Sequence, residues 1–563
     1  MPTARLLDGV EQAARTHPEA VALRSPATGG RHTAVTYGEL SARCDAYTSA
    51  LTYAGLRPGT RTCLMVPPGP ELAALAGALS RIGAVPVLID PGIAKPAVKA
   101  CLDTVAPEAF IGVPRAHAAR LLLGWARRTV RLSIVVGGQV PRLYGVSLDR
   151  LCALSAAQPA APEAPDAPEP KPGPGPEPGP DPVAMLAFTS GATGLPKAVE
   201  YRTRQLSAQL RMARDVWPLE PGEVGMSTLP PFALGGTALG FSMVVPDMDF
   251  LRPASADPAV LVRDIRRFGV AGLFASPVPL DRLARHCAAE GVVLESLRAV
   301  VCGGASLDPR TAERLRPCLP ADATVTSVYG ATEAMPVSAL DSRELLGDVR
   351  RLTEGGHGTC LGWPLPGNLV RVIGLTDEAV PEWHDGLEAP PGAVGEITVA
   401  GPNTSERYEG HPDRTALAKI RDGARVVHRT GDLGRFDPHG RLWFCGRASQ
   451  RVRTAAGELY PEQVEPVANT VPAVRRSALV GVGPAGAQLP VLCVEPERRL
   501  GRDERWNVVV EVLARFGEFP HTSGVRQVLF HPGLPVDVRH NSKIDRPELA
   551  RWAARRLRGG RLP

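Results

Sequence analysis

The residues from Thr189 to Lys197 carry the densest set of groups able to hold phosphate. Thr189, Ser190 and Thr193 bring hydroxyls, Gly191 and Gly194 bring bare backbone amides on either side of Ala192, and Lys197 brings one ammonium. Glycines let a backbone approach closely, and amides and hydroxyls donate to anionic oxygens, so the loop can wrap a polyphosphate. The pattern is not a GxxxxGK[ST] loop, because its glycines are too close and no helix signal follows. Alone, it would also serve as an ordinary Gly/Thr-rich turn.

Lysine usage singles out two positions. Of 64 basic residues six are lysine: Lys95, Lys99, Lys171, Lys197, Lys419 and Lys543. A lysine kept in an arginine-rich background suits a task that needs a compact, movable charge. Lys197 closes the loop, and Lys543 sits in the polar run Arg539 to Arg546.

Four more segments bear chemistry. Val301 to Ala305 ends a strand in Gly303, Gly304 and Ala305, leaving backbone on which a flat ring can lie. Tyr329, Gly330, Ala331, Thr332 and Glu333 join an aromatic, a hydroxyl and a carboxylate, and Glu333 suits Mg²⁺ held against phosphate oxygens. His428 to Asp432 places a carboxylate where two ribose hydroxyls would meet it; as a lone Thr-Gly-Asp it would be a β-turn. Gly446 and Arg447 follow an apolar strand. Each segment is weak; their order and spacing together are not.

The elements that must position these groups alternate. Thr62 to Val66 reads as a strand, Glu71 to Ile82 as a helix, and Val85 to Ile89 and Arg131 to Val136 as strands, which predicts a parallel α/β sheet. Met185-Leu186 and Val199 to Tyr201 flank the loop as strands. Further on, Ala259 to Phe268 and Asp308 to Leu315 read as helices, Val270 to Phe274 and Ala299 to Cys302 as strands. From Gly395 the chain turns β-rich, and near Ser449 a compact α+β tail begins. Gln158 to Pro182, dominated by Pro, Ala, Glu and Gly, is expected as a solvated insertion within one domain.

At 563 residues the chain exceeds one core. Its 44% apolar and 22% charged content fits a globular protein. Ten scattered cysteines without CxxC spacing argue against a zinc site or disulfide framework and for a reducing, cytoplasmic setting. No signal peptide and no transmembrane run is expected. The net charge of +6 and the basic tail Arg551 to Arg558 lack the aromatic face of a nucleic-acid reader.

Together, the segments Phe188 to Lys197, Tyr329 to Glu333, Thr430 to Asp432, Gly446-Arg447 and Lys543 resemble the adenylate-forming superfamily of acyl-CoA synthetases, luciferases and peptide-synthetase adenylation domains. The resemblance covers about residues 8 to 553. It implies an α/β fold: a large N-terminal domain of two β-α sheets plus a small β subdomain, and a mobile α+β C-terminal domain. The expected boundaries are 1–157 and 183–447 for the large domain, 158–182 for the insertion, and 448–563 for the C-terminal domain. It implies ATP and Mg²⁺ as cofactors, Thr189 to Lys197 as phosphate loop, Thr332 and Glu333 on phosphate and Mg²⁺, Gly303 to Ala305 with Tyr329 and Gly330 around adenine, and Asp432 and Arg447 on ribose. Lys543 would activate the carboxylate.

Within the superfamily the chain looks most like the β-lactone synthetases of bacterial long-chain olefin biosynthesis, on Val244 to Asp249, Tyr329 to Val337, His428 to Arg447 and Pro535 to Lys543. That implies a 3-hydroxy fatty acid substrate, acyl-AMP formation, closure to a β-lactone, and assembly with other olefin-pathway enzymes. Gln450, three residues after Arg447, stands where many relatives carry Asp or Lys, and Asn541-Ser542 where many carry Thr-Gly. Both departures speak against transfer to a thiol. His428 and His540 are both candidates for a closing base. The rival readings are a thiol ligase, a silent nucleotide-binding scaffold, and an amino-acid adenylation domain. The last is disfavoured because Pro231 to Gly236 holds no carboxylate.

Overall fold

The computed structural model describes residues 8–89, 93, 95–138, 144–157, 181–189, 196–536 and 544–558. The insertion read in 158–182 therefore lies almost wholly outside the described residues. The chain forms two compact units: Met1–Leu251 with Ala259–Phe274 and Pro402–Thr415, and Arg252–Pro258 with Ala275–Gly401 and Ala416–Pro563.

In the first unit one sheet runs, in spatial order, Tyr408–Glu409, Ala198–Arg202, Val183–Phe188, Val85–Leu88, Arg61–Met65, Ala109–Gly112, Leu132–Val135 and Val146–Ser147. From Val183–Phe188 onward the neighbours are parallel, and helices Pro70–Ile82, Lys95–Val105 and Pro114–Leu123 lie on three of the crossovers. The alternating pattern thus folds as expected. Helix Pro70–Ile82 shows why: Pro70 opens it, where no N–H is needed, and Gly83 closes it at φ 75°. The core packs Cys63, Val87, Leu102, Phe110, Leu186 and Phe188 against one another. A second set of strands holds Val21–Ala27, Arg31–Thr36, Val224–Ser227, Ser242–Val244 and Gly272–Ala275.

The second unit contains strand Ala299–Gly303 beside Thr324–Ala331, the hairpin return Ala334–Asp341, and the β-rich group Thr359–Pro364, Leu369–Ile373, Gly395–Ala400, Arg425–Phe436 and Leu442–Arg447. Its C-terminal part is a three-stranded sheet, Val474–Val482, Leu489–Pro496 and Gln527–Phe530. There Leu479, Leu492 and Val494 pack in one apolar cluster with Val464, Val512 and Phe516. Ala478, Val480, Val491 and Cys493 pack in another with Leu549 and Ala553. Both sheet faces are covered, which is why these strands read as continuous apolar runs rather than alternations. All ten cysteines are free thiols. No helix among the described residues is long and apolar enough to cross a membrane.

Candidate active site

In the first unit the loop's two ends are fixed. Val183–Phe188 and Ala198–Arg202 pair antiparallel, Phe188 opposite Ala198. One step further the Thr189 N–H donates to the Lys197 carbonyl at 3.0 Å, and the Lys197 N–H donates to Thr189 Oγ1 at 3.0 Å. Thr189 thus closes the loop's neck. Ser190, Gly191, Ala192, Thr193 and Gly194 lie outside the described residues.

The Lys197 ammonium donates to the Tyr408 hydroxyl at 3.0 Å and stands 4.3 Å from its ring centroid. Tyr408 is buried and pairs with Val199 across the sheet edge. Thr415 Oγ1 accepts its N–H at 3.0 Å. On either side, Arg407 is bound to buried Glu200 at 2.7 Å and Glu409 to Arg61 at 2.7 Å. The strand that carries Tyr408 is therefore pinned by two ion pairs. Sequence reasoning missed Tyr408, because 211 residues separate it from Lys197 and its neighbours follow no period.

In the second unit Gly303 sits in register with Val328, one residue before Tyr329. Gly304 follows at φ 91°, a left-handed backbone that favours glycine, and a Cβ there would meet nothing within 4 Å. An open backbone edge beside an aromatic residue leaves room for a flat ring. Thr332 and Glu333 form the two-residue turn of the hairpin in which Ala331 faces Ala334. A Cβ on Gly330 would come 3.0 Å from Met335 Cβ, so the hairpin crossing is tight there. Glu333 is buried, unlike a solvated turn carboxylate.

Asp432 is the best-defined group. It pairs with Arg447 across the ladder, and the Arg447 Nε lies 3.4 Å from Asp432 Oδ1. Tyr329 Oη donates to Asp432 Oδ2 at 2.8 Å. Burial, and then the Asp432 carboxylate, hold the Tyr329 phenol well above its usual range, so it remains a donor. A bulge aims Asp432: the register against Gly395–Ala400 slips between Glu396 and Thr398. Gly431 takes φ 72° at the bulge, and its N–H donates to Glu396 Oε1 at 3.1 Å. Glu396 also accepts from Arg429 Nε at 2.9 Å and Nη2 at 2.6 Å. Arg429 in turn donates to the Glu378 and Thr376 carbonyls. Glu396 was legible only as one acid at the start of an apolar strand, and its role could not be read from that.

His428 is buried, with Nδ1 3.2 Å from the Ala418 carbonyl. His540 and Lys543 lie outside the described residues. The flanks of that segment are fixed: Val536 bridges Ile544, and the Asp545 N–H donates to the Pro535 carbonyl at 2.9 Å. Arg546 binds Glu465 at 2.5 and 3.1 Å, and its Nε donates to Gln450 Oε1 at 3.3 Å. Gln450 is thus tied to the helix that follows Lys543.

Residues 10–409 match the family described as AMP-binding enzyme. The chain is 45% identical over 554 residues to the olefin beta-lactone synthetase of Xanthomonas campestris pv. campestris, covering 96% of each protein. It is 45% identical over 556 residues to that of Stenotrophomonas maltophilia, covering 97% of each. Among solved structures it is similar to amide bond synthetase McbA from Marinactinospora thermotolerans. That likeness has a TM-score of 0.75 at 25% identity and covers 97% of this chain and 99% of that one.

Proposed function

Because this chain belongs to the AMP-binding enzyme family, we propose that it uses ATP to activate a 3-hydroxy fatty acid as acyl-AMP and then closes it to a β-lactone. The observation that carries this reading is the 45% identity to olefin beta-lactone synthetases over nearly the whole of both chains. The fixed Tyr329–Asp432–Arg447 set supports it, since a rigid carboxylate and a guanidinium suit a nucleotide's ribose.

The acid's carboxylate oxygen attacks the α-phosphorus, and the bond to pyrophosphate breaks. Thr189 to Gly194 and Lys197 would hold the phosphates. Gly303 to Ala305 and Tyr329 would hold adenine, and Asp432 and Arg447 the ribose. Lys543 would meet the charge shared by carboxylate and phosphate, so catalysis is mainly positional and electrostatic.

A single buried carboxylate, Glu333, beside the Thr332 hydroxyl fits Mg²⁺, which protein sites commonly hold through one or two carboxylates plus substrate phosphate. Bound there, the ion would neutralise phosphate charge.

In the second step the substrate's own 3-hydroxyl oxygen attacks the acyl carbon. The bond to AMP breaks and the hydroxyl proton leaves to solvent or a base. A held internal nucleophile can gain roughly 7–11 kcal/mol, which offsets strain in the four-membered ring. The enzyme would work in the cytoplasm and assemble with other enzymes of the olefin route, which co-purification of the native protein tests.

The reaction test supplies a 3-hydroxy fatty acid and MgATP without thiol. Mass spectrometry should find AMP and a product lighter than the acid by one water. If CoA is instead consumed in step with ATP and no lactone forms, the chain is a thiol ligase.

A further inference from the structure

The helix Pro114–Leu123 buries two polar side chains and exposes three leucines. It crosses between the parallel strands Ala109–Gly112 and Leu132–Val135. Its buried residues are His117 and Arg120. His117 Nε2 lies 2.9 Å from the Ile134 carbonyl, and Arg120 donates to Ser133 Oγ at 3.0 Å with its guanidinium 5.4 Å from the Phe110 ring. Leu121, Leu122 and Leu123 face outward, 40%, 85% and 39% exposed. Burying a guanidinium and an imidazole while three consecutive leucines meet water runs against the ordinary transfer preference. Gly124 then ends the helix at φ 66°, and buried Trp125 anchors the chain that follows.

The chain on either side of this tip is basic. Between Glu108 and Asp149 the sequence holds six arginines and no acid or lysine. The whole chain carries 64 basic and 58 acidic residues, a net +6, so this stretch accounts for all of it. Arg115, Arg127, Arg128 and Arg131 are exposed and form no ion pair among the described residues. Glu108, whose carbonyl accepts the Arg131 N–H, borders the patch.

We propose that the Leu121–Leu123 tip and the exposed arginines that flank it in the chain dock this protein peripherally on a membrane bearing anionic lipid. The apolar side chains enter the interfacial region while arginines, long and amphipathic, reach the headgroups. Charge selects this occupant over a second copy of the chain. A two-fold contact through the same patch would set arginines against arginines. This inference goes beyond the catalytic reading and does not depend on it.

The test is vesicle flotation of the full-length protein, using phosphatidylcholine with and without phosphatidylglycerol. The parent should float only with the anionic vesicles, and added salt should weaken it. Leu122→Asp should lower partition about tenfold, from the lost apolar insertion. Arg127→Glu with Arg128→Glu should lower it more, since each basic side chain near the surface is worth roughly five-fold. Both variants should keep the parent's melting temperature and acyl-AMP formation. A parent that stays with the unbound fraction overturns the proposal, as do variants that float like the parent. A change of oligomeric state in Leu122→Asp, measured by light scattering, also overturns it and marks a protein interface.

Discussion

The Lys197 ammonium rests on Tyr408, hydrogen-bonded to its hydroxyl at 3.0 Å and 4.3 Å from its ring centroid. Sequence places these residues far apart. The antiparallel pairing of Tyr408 with Val199, two residues after Lys197, brings them together. Hydrogen bond and ring quadrupole both favour the charged amine, and such a cation–π contact contributes about 1 kcal/mol. The loop's one ammonium is therefore held in a set place before any phosphate arrives.

Tyr408→Phe keeps the ring and removes the hydroxyl. The ammonium then loses its directional partner while the strand stays pinned by Arg407–Glu200 and Arg61–Glu409. The KM for ATP should rise several-fold with a smaller change in kcat, and the melting temperature should fall by no more than about 1 kcal/mol of stability would give. Steady-state pyrophosphate release against ATP concentration checks this. An unchanged KM would detach Tyr408 from the loop's function.

Glu396 holds the bulge that aims Asp432. Glu396→Gln leaves an acceptor for the Gly431 N–H but strands the buried Arg429 guanidinium against an amide. Removing one partner of a buried pair costs about 3 kcal/mol or more, so urea unfolding should shift clearly. Nucleotide affinity should fall as well, since Asp432 would no longer be fixed. Loss of stability with intact affinity would show that the bulge holds its shape without the charge.

How much of this was legible follows from where the information lies. The parallel strands and helices of the first unit announce themselves through apolar runs, Pro70 at a helix start and Gly83 at its end. Thr189, Asp432 and Arg447 could be singled out because motif spacing is local. Tyr408 and Glu396 were not, because their partners lie across a ladder, and nothing in a linear reading sets register through a bulge. Arg447 could be picked out only with its neighbouring motifs, and its pairing opposite Asp432 is a matter of register that the linear order does not display.

Glu462 offers a pH-dependent check on the second unit. Burial first, and then the neighbouring Glu465, raise its carboxyl above the ordinary value of 4.5, while the Thr359 hydroxyl donates to it at 2.7 Å. The fold disfavours the charged form. Its favourable contribution is complete below the unfolded value and is lost as pH rises through the folded one. Glu462→Gln mimics the neutral acid and keeps an acceptor for Thr359. It should therefore raise the melting temperature at neutral pH, and the gain should fade as pH falls through the raised folded value and be gone below 4.5. A constant gain at all pH values would point to packing instead.

Glu333 is buried at a hairpin turn, a place where an unneeded carboxylate would face water. Glu333→Gln should shift the Mg²⁺ titration of acyl-AMP formation to higher concentration and lower turnover, with little effect on acid binding. An unchanged titration would remove Glu333 from the metal site.

Lys543 follows a different logic, since only its surroundings are described. Ile544 is bridged to Val536, and Arg546 is bound to Glu465 and Gln450, so a fixed point stands one residue from the lysine. A charge delivered from such an anchor can act in the first step, where carboxylate and phosphate crowd negative charge together. Lys543→Ala should lower acyl-AMP formation by about 10²-fold or more, the scale for losing one preorganised stabiliser, and spare nucleotide binding. Lys543→Arg should recover little, because a planar guanidinium does not replace a compact ammonium. The second step asks nothing of this charge, since the nucleophile belongs to the substrate. Supplied with preformed acyl-AMP, the Lys543→Ala protein should close the lactone at the parent's rate. Pyrophosphate release within a few-fold of the parent would remove Lys543 from adenylation, and slow closure from preformed acyl-AMP would give it a part in both steps.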